Sequence, residues 1–428
     1  MKVFIDIVGC RLNQSEAEGF ANIFRALGHQ IIDDPGNADL AIINTCAVTV
    51  KAAADSRKKL RGAVRAGASR VIATGCWATL YPEAAQDLVN GIDVITNDEK
   101  ENLVASVLSL SPDVIDQLTL VRTPLPGDRA RTRAFIRVQE GCDHHCTYCL
   151  TRVARGKSRS RHMEDVKGDI LAALAGGAKE IVLTGVQLGG WGKDFNHPQS
   201  MFDLLGEILK IDGYARLRLS SIEPWDLELS LLDFWRDERM CRHLHIPLQS
   251  GNNRTLKAMG RPITTQGYAD LIKAIRIAVP EMAITTDVIT GFPGESEDDF
   301  NITKAFIEEM RFAGGHVFTF SPRPGTPAYK MKDRVPPQAA KARNAVLRDV
   351  FKVSGTTFRS QFIGKNVSVL WESCVSLGKN FWQCSGLTDT YIRVLAETDL
   401  DLWNQISTVV MVGLHPQRHA LVGRIAES

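Results

Sequence analysis

Short apolar runs alternate with helix-period segments along the first 110 residues. Val3–Val8, Leu40–Asn44, Arg70–Thr74 and Ile92–Thr96 read as strands. Between them, Ser15–Leu27, Val50–Ala66 and Pro82–Val89 carry apolar positions at helical spacing. This βαβα order predicts an open parallel sheet covered by helices. Residues 111–132, SPDVIDQLTLVRTPLPGDRART, hold no sustained period and read as a linker. From 133 to 360 the alternation returns six times, with strands beginning near Phe135, Glu180, Arg216, His243, Ala283 and His316. Met163–Ala175, Met201–Lys210, Thr265–Ala278 and Glu297–Met310 read as the helices between them. Six βα units are too few to close an eightfold barrel, so a partial (β/α)6 barrel is expected. Residues 361–428 switch to period-2 alternation around Val367, Val369, Trp371, Ile392 and Val394, the signature of a small all-β barrel.

Composition adds little to this α/β picture. Of 428 residues, 44% are hydrophobic and 23% charged, which excludes collagen-like and wholly disordered chains. No apolar run approaches the roughly 18 residues of a membrane helix, and the opening MKVFIDIVGC is not a signal peptide. A net charge of +2 names no partner. Nine cysteines in a long chain with no export signal suit a reducing cytoplasm, where clustered thiols mean metal ligation or catalysis more often than crosslinks.

Those cysteines are placed unevenly. Cys142, Cys146 and Cys149 form C-x3-C-x2-C in GCDHHCTYCL, directly after the strand AFIRVQEG. Loops at the C-terminal ends of such strands carry the chemistry of (β/α) enzymes. Three thiolates there can hold a 4Fe–4S cluster with one iron left open, or a zinc ion with His144 or His145 as fourth ligand. Cys10, Cys46 and Cys76 are 36 and 30 positions apart, yet each follows one of the first three strands, in IVGC, INTC and ATGC. Successive ends of a parallel sheet share one edge, so these three can converge on a second cluster. Good packing of small thiols at strand ends is the plainer alternative. Cys241, Cys374 and Cys384 show no such pattern and read as structural. His245 reads equally as a pocket or a core residue, and turn or capping roles suffice for Asn13 and Asn44.

The first triad, with Tyr148 before its last cysteine, resembles the signature of the radical S-adenosylmethionine (SAM) enzymes. LTGVQLGGWG, LSSIEP, IPLQSG and TDVITGFPGE follow in the order that family shows. The resemblance implies that the open iron binds SAM, whose reductive cleavage yields a 5′-deoxyadenosyl radical. It also implies SAM contacts from Tyr148, Thr184, Gly185, Ser221, Glu223, Gln249 and Gly291. A further cysteine triad ahead of such a core, with GCRLNQSEAE, INTCAVT and a C-terminal barrel like the TRAM domain, resembles the methylthiotransferases across nearly the whole chain. That likeness implies four parts: a cluster-bearing domain at 1–110, a linker at 111–132, a radical core at 133–360 and a TRAM-like barrel at 361–428. It implies two 4Fe–4S clusters, one supplying sulfur, and two roles for SAM, as methyl donor and radical source. The wording of GCRLNQSEAE, NTCAVT, QEGCDHHCTYC and ARGKSRS resembles the subgroup that methylthiolates C2 of N6-threonylcarbamoyladenosine beside the tRNA anticodon. The relatives acting on N6-isopentenyladenosine or on a ribosomal protein side chain are the alternatives. The tRNA anticodon stem-loop, a flavodoxin- or ferredoxin-like electron donor and a sulfur source are the implied partners.

Charge bears on the tRNA reading. TRVARGKSRSRH (151–162) holds five Lys/Arg and no acid, and 323–352 holds eight basic against two acidic residues. Both suit a phosphate backbone, although a solvated helix face explains the second as well. Residues 361–428 carry five basic and six acidic residues, which is not a basic RNA-binding profile. A surface shared with the core is therefore expected. Phe381, Trp382, Tyr391 and Trp403 offer stacking surfaces, while Trp371 lies on the core-facing side of its strand.

Overall fold

The computed structural model describes residues 1–122, 125, 132–378 and 381–426. Its first sheet has five parallel strands in the order Gln30–Ile32, Lys2–Ile7, Leu40–Thr45, Val71–Gly75, Ile92–Val94. The edge strand Gln30–Ile32 is an addition to the sequence reading. It is only three residues long and half-exposed, so it carries little hydrophobic pattern. Leu40–Thr45 is buried at every position, as a central parallel strand must be. The helix expected from Ser15 begins a turn earlier, at Arg11, because Leu12 and Asn13 are already buried. Val50–Ala66 forms as expected, with the Thr49 hydroxyl capping its first turn and Gly67 closing it at φ +101°.

The expected linker contains a short helix, Pro112–Asp116. Residues 123–124 and 126–131 of that stretch lie outside the described residues. Arg122 and Leu125 are buried, so part of the segment packs as structure.

The core is an open α/β arc of six strands. Arg133–Arg137, Glu180–Thr184 and Arg216–Leu219 form one parallel set; His243–His245, Ala283–Thr290 and Gly314–Thr319 form the other. Bridges Leu217–Met240 and Ser221–His245 join the two. Alternation sorts the faces. Ile136, Ile181, Leu183, Leu217 and Leu244 pack under the helices. The intervening positions put Arg133, Glu180, Arg218 and His243 on the concave side.

The C-terminal unit is a closed five-strand barrel, Asn366–Gly378, Phe381–Thr388, Arg393–Thr398, Ala420–Ile425 and Ile406–Leu414. Trp371 is fully buried in its core, as its strand face predicts. The barrel docks where the core strands begin. Arg216 donates to the Leu387 and Ser368 carbonyls at 2.8 Å, and Arg218 to that of Asp389 at 2.9 Å. Tyr391, expected as a base-stacking surface, instead inserts here. Its ring stacks on His243 at 4.6 Å and lies under the guanidinium groups of Arg11, Arg133 and Arg218. Cys374 and Cys384, read as structural, stand directly opposite on paired strands and form a disulfide. Cys241 is buried, in keeping with a structural role.

Candidate functional site

The three N-terminal cysteines do share one edge of their sheet. Gly9, at φ +111°, leads into Cys10 and approaches Cys46 so closely that a side chain at Gly9 would lie 2.7 Å from the Cys46 sulfur. Cys46 and Cys76 follow directly on Leu40–Thr45 and Val71–Gly75 and are buried. Burial pushes the Cys46 thiol up to about 11, with the neighbouring Cys10 and Cys76 sulfurs adding to the rise. Cys142 in the C-x3-C-x2-C loop behaves alike. Cys142 is lifted to about 12 by partial burial, with the neighbouring Cys149 and Cys146 sulfurs contributing to the rise. A thiol must lose its proton to ligate a metal, so metal binding at these cysteines releases protons.

One cavity of about 600 Å3 connects the triads. Cys76 and Cys149 both line it, with Tyr148, Gln249, Asp287, Phe318 and Arg323. Gln249 has φ +71°, strain that a non-glycine residue bears most often at functional sites. The other expected SAM contacts lie elsewhere. Thr184 and Gly185 sit beneath the cysteine loop, where Gln139 receives the Gln187 amide at 2.7 Å and Gln187 receives that of Asp143 at 3.1 Å. Ser221 is exposed and bridges to His245. Glu223 pairs with Arg261 at 2.7 Å, and Arg261 reaches the Tyr148 hydroxyl at 3.5 Å. Gly291, at φ +75°, is required by close packing, since a side chain there would strike Ala340.

Several buried residues escaped the sequence reading. Glu16, Lys100 and Arg155 form a network beneath the N-terminal cysteines, joined by Asn13, Asn44, Asn97 and Glu140. Asn13 and Asn44 thus exceed their expected turn and capping roles. Asn13 donates to the carbonyls of Val8 and Thr45, and Asn44 donates to Asn13 and Glu16. Arg155 belongs to the basic segment expected to meet phosphate, yet it is buried against carboxylates. Arg161 of the same segment pairs with Asp169. In the stretch 323–352, Arg343 is likewise buried on Glu295, while Lys341, Arg348 and Lys352 are solvated on their helix. His245 bonds Thr285 at 2.9 Å and faces Asp287, a cavity residue, at 3.3 Å.

Both histidines offered to the zinc alternative have other partners. His144 lies 3.2 Å from Asp226 and accepts from the Trp225 indole, while His145 is engaged by Arg152. Among the described residues no three Cys, His, Asp or Glu side chains converge on a single-ion site. Two spaced sets of three soft thiol donors fit polymetallic iron–sulfur clusters, whose bodies are wider than one ion.

Comparison with known proteins agrees. Residues 136–307 match the radical SAM superfamily, and residues 2–97 match a family described as uncharacterized protein family UPF0004. The threonylcarbamoyladenosine tRNA methylthiotransferase of Thermotoga maritima is 38% identical, over 91% of this chain and 90% of its own length. The chain belongs to the radical SAM methylthiotransferases. It uses S-adenosylmethionine and two 4Fe–4S clusters, as that family does. The Bacillus subtilis enzyme of the same description is 32% identical, over 98% of this chain and 96% of its own length. A tRNA-2-methylthio-N(6)-dimethylallyladenosine synthase of Geobacillus kaustophilus is 33% identical, over 87% and 73%. Among solved structures, the radical SAM methyltransferase TsrM of Kitasatospora setae shares the fold, with a TM-score of 0.56 at 14% identity, over 76% of this chain and 74% of that one.

Proposed function

We propose that this methylthiotransferase replaces the C2 hydrogen of N6-threonylcarbamoyladenosine, beside the tRNA anticodon, with a methylthio group. The observation that carries the reading is the shared cavity, with Cys76 on one wall and Cys149 on another. In this reading Cys142, Cys146 and Cys149 hold the cluster that binds SAM, and Cys10, Cys46 and Cys76 hold the auxiliary cluster. The loaded clusters and SAM supply what no acid or base can, a hydrogen abstractor strong enough for an inert C–H bond and the sulfur that replaces the hydrogen.

The chain's own residues bind and shield. Arg261, held by Glu223 and the Pro247 carbonyl, steadies Tyr148 beside the cysteine loop. Val48, Leu80, Ile289, Phe318 and Phe320 give the cavity apolar walls that exclude water from a reactive site. Arg323 ties the two sides together by donating to the Val48 carbonyl at 3.0 Å. Tyr148 and Gln249 face SAM within the cavity, while Thr184, Gly185, Ser221, Glu223 and Gly291 shape its surroundings. The units 1–110, 133–360 and 361–428, with the linker 111–132, act as cluster carrier, radical core and tRNA-facing barrel. A flavodoxin- or ferredoxin-like donor supplies electrons, a separate source replaces the sulfur consumed, and the work is done in the cytoplasm. Among the described residues no helix is long and apolar enough to cross a membrane.

Mass spectrometry of tRNA nucleosides, with and without the gene, tests the assignment. Loss of the 2-methylthio derivative of N6-threonylcarbamoyladenosine supports it. Loss of the isopentenyl counterpart alone transfers the activity to that substrate, and an unchanged tRNA profile points to a protein substrate.

A further inference from the structure

We propose that Arg155 is a positioning residue for the auxiliary cluster, ordering its cysteines and raising its electron affinity. The proposal rests on the assignment of Cys10, Cys46 and Cys76 to that cluster. Arg155 ends the short helix Thr151–Arg155, which begins two residues after Cys149. One stretch of chain therefore carries a thiol of the first triad and reaches the second.

The contacts use the whole guanidinium. Its Nε lies 3.3 Å from the Cys76 sulfur. Nη2 donates to Asn13 Oδ1 at 2.6 Å, and the Cys10 thiol faces that same oxygen at 3.6 Å. Nη1 donates to Glu16 at 2.8 Å and to Glu140 at 2.6 Å. Arg155 thus meets Cys76 directly and Cys10 through Asn13. Asn97 approaches Cys76 from another side at 3.9 Å and donates to the Ala154 carbonyl at 2.7 Å. A lysine cannot reproduce this planar fork.

Charge gives the arrangement its direction. Four cations, Lys100, Arg137, Arg155 and the half-exposed Arg159, share two buried carboxylates, Glu16 and Glu140. The further carboxylate on Arg137, Glu101, is largely exposed and screened by water. An excess of positive charge and an N–H donor beside a ligand sulfur favour the more negative, reduced cluster. Removing them must make reduction harder.

The test uses the full chain with Cys142, Cys146 and Cys149 replaced by alanine, so that only the auxiliary site can load. After anaerobic reconstitution, iron is counted and the midpoint potential is read by electron paramagnetic resonance during a redox titration. In this background Arg155→Met is expected to weaken reduction about tenfold, a fall of about 59 mV for one electron. Arg155→Lys, which keeps the charge but not the fork, is expected to fall less. Unfolding of the apo chains by heat monitors the fold. If Arg155→Met does not fold, Arg155→Lys decides by the same readout. Loss of iron from a folded variant also supports the positioning role. A folded, iron-loaded variant with an unchanged midpoint overturns the proposal. A background chain that binds no iron overturns the cluster assignment itself, and this proposal with it.

Discussion

Glu16 and Lys100 stand 84 positions apart in the chain and meet at 2.5 Å in its interior, each about 2% exposed. Burial alone would raise the Glu16 carboxyl, but Arg155 and Lys100 hold it far below the usual carboxylate range. Removing Lys100 leaves Glu16 to Arg155 alone, which Glu140 also claims, in an interior without water to make up the loss. Lys100→Met is therefore expected to cost about 3–5 kcal/mol in denaturant unfolding of the apo chain, with Glu16→Gln added to it recovering part of the loss. The pH dependence follows in sign. A depressed acid stabilises the fold above its unfolded value of about 4.3, and that contribution is lost as pH falls below it. Acid titration of the wild type against the double variant checks this, since the double variant should lose less.

The two triads predict a division of labour. Wild-type chain reconstituted without oxygen should carry about eight irons, and either triple-alanine variant about half. Replacing Cys142, Cys146 and Cys149 should abolish SAM cleavage to 5′-deoxyadenosine. Replacing Cys10, Cys46 and Cys76 should leave some cleavage while ending sulfur insertion. Full methylthiolation without the N-terminal triad would refute the assignment.

Arg261 is buried over the Trp225 ring at 4.6 Å and links Glu223, Pro247 and Tyr148. Arg261→Ala releases the tyrosine beside the cysteine loop. SAM cleavage is expected to slow on the order of 10–100-fold while iron content is kept, since small misplacements near a reacting centre have that effect. Chromatographic assay of 5′-deoxyadenosine measures it.

Tyr391 joins the barrel to the core. Arg11 donates to its hydroxyl at 2.8 Å, and the backbone holds it at φ +64°. Tyr391→Ala should cost about 3–5 kcal/mol, as aromatic truncations do. It should also expose the chain near residue 361 to protease. Tyr391→Phe keeps the ring and should cost only the hydrogen bond to a charged group, about 1.5–3 kcal/mol. Thermal unfolding with limited proteolysis separates the two variants.

Local pattern determined much of this protein. Strand starts at Glu180, Arg216, His243 and Ala283, and the helices Val50–Ala66, Met163–Ala175, Thr265–Ala278 and Glu297–Met310, could be read directly, because burial on one face imposes a period on the residues themselves. C-x3-C-x2-C was legible for the same reason: three nearby donors in one loop need no distant partner. The meeting of Cys10, Cys46 and Cys76 was legible at one remove, since parallel strands end on a common edge. Only the tertiary structure decided that Arg155 serves a cysteine rather than phosphate, that Tyr391 is a plug rather than a stacking surface, and that Glu16 finds Lys100. An arginine or tyrosine has the same local signature in either role. Its partners lie dozens to hundreds of positions away, and the charge compensation that permits burial exists only once the units have packed.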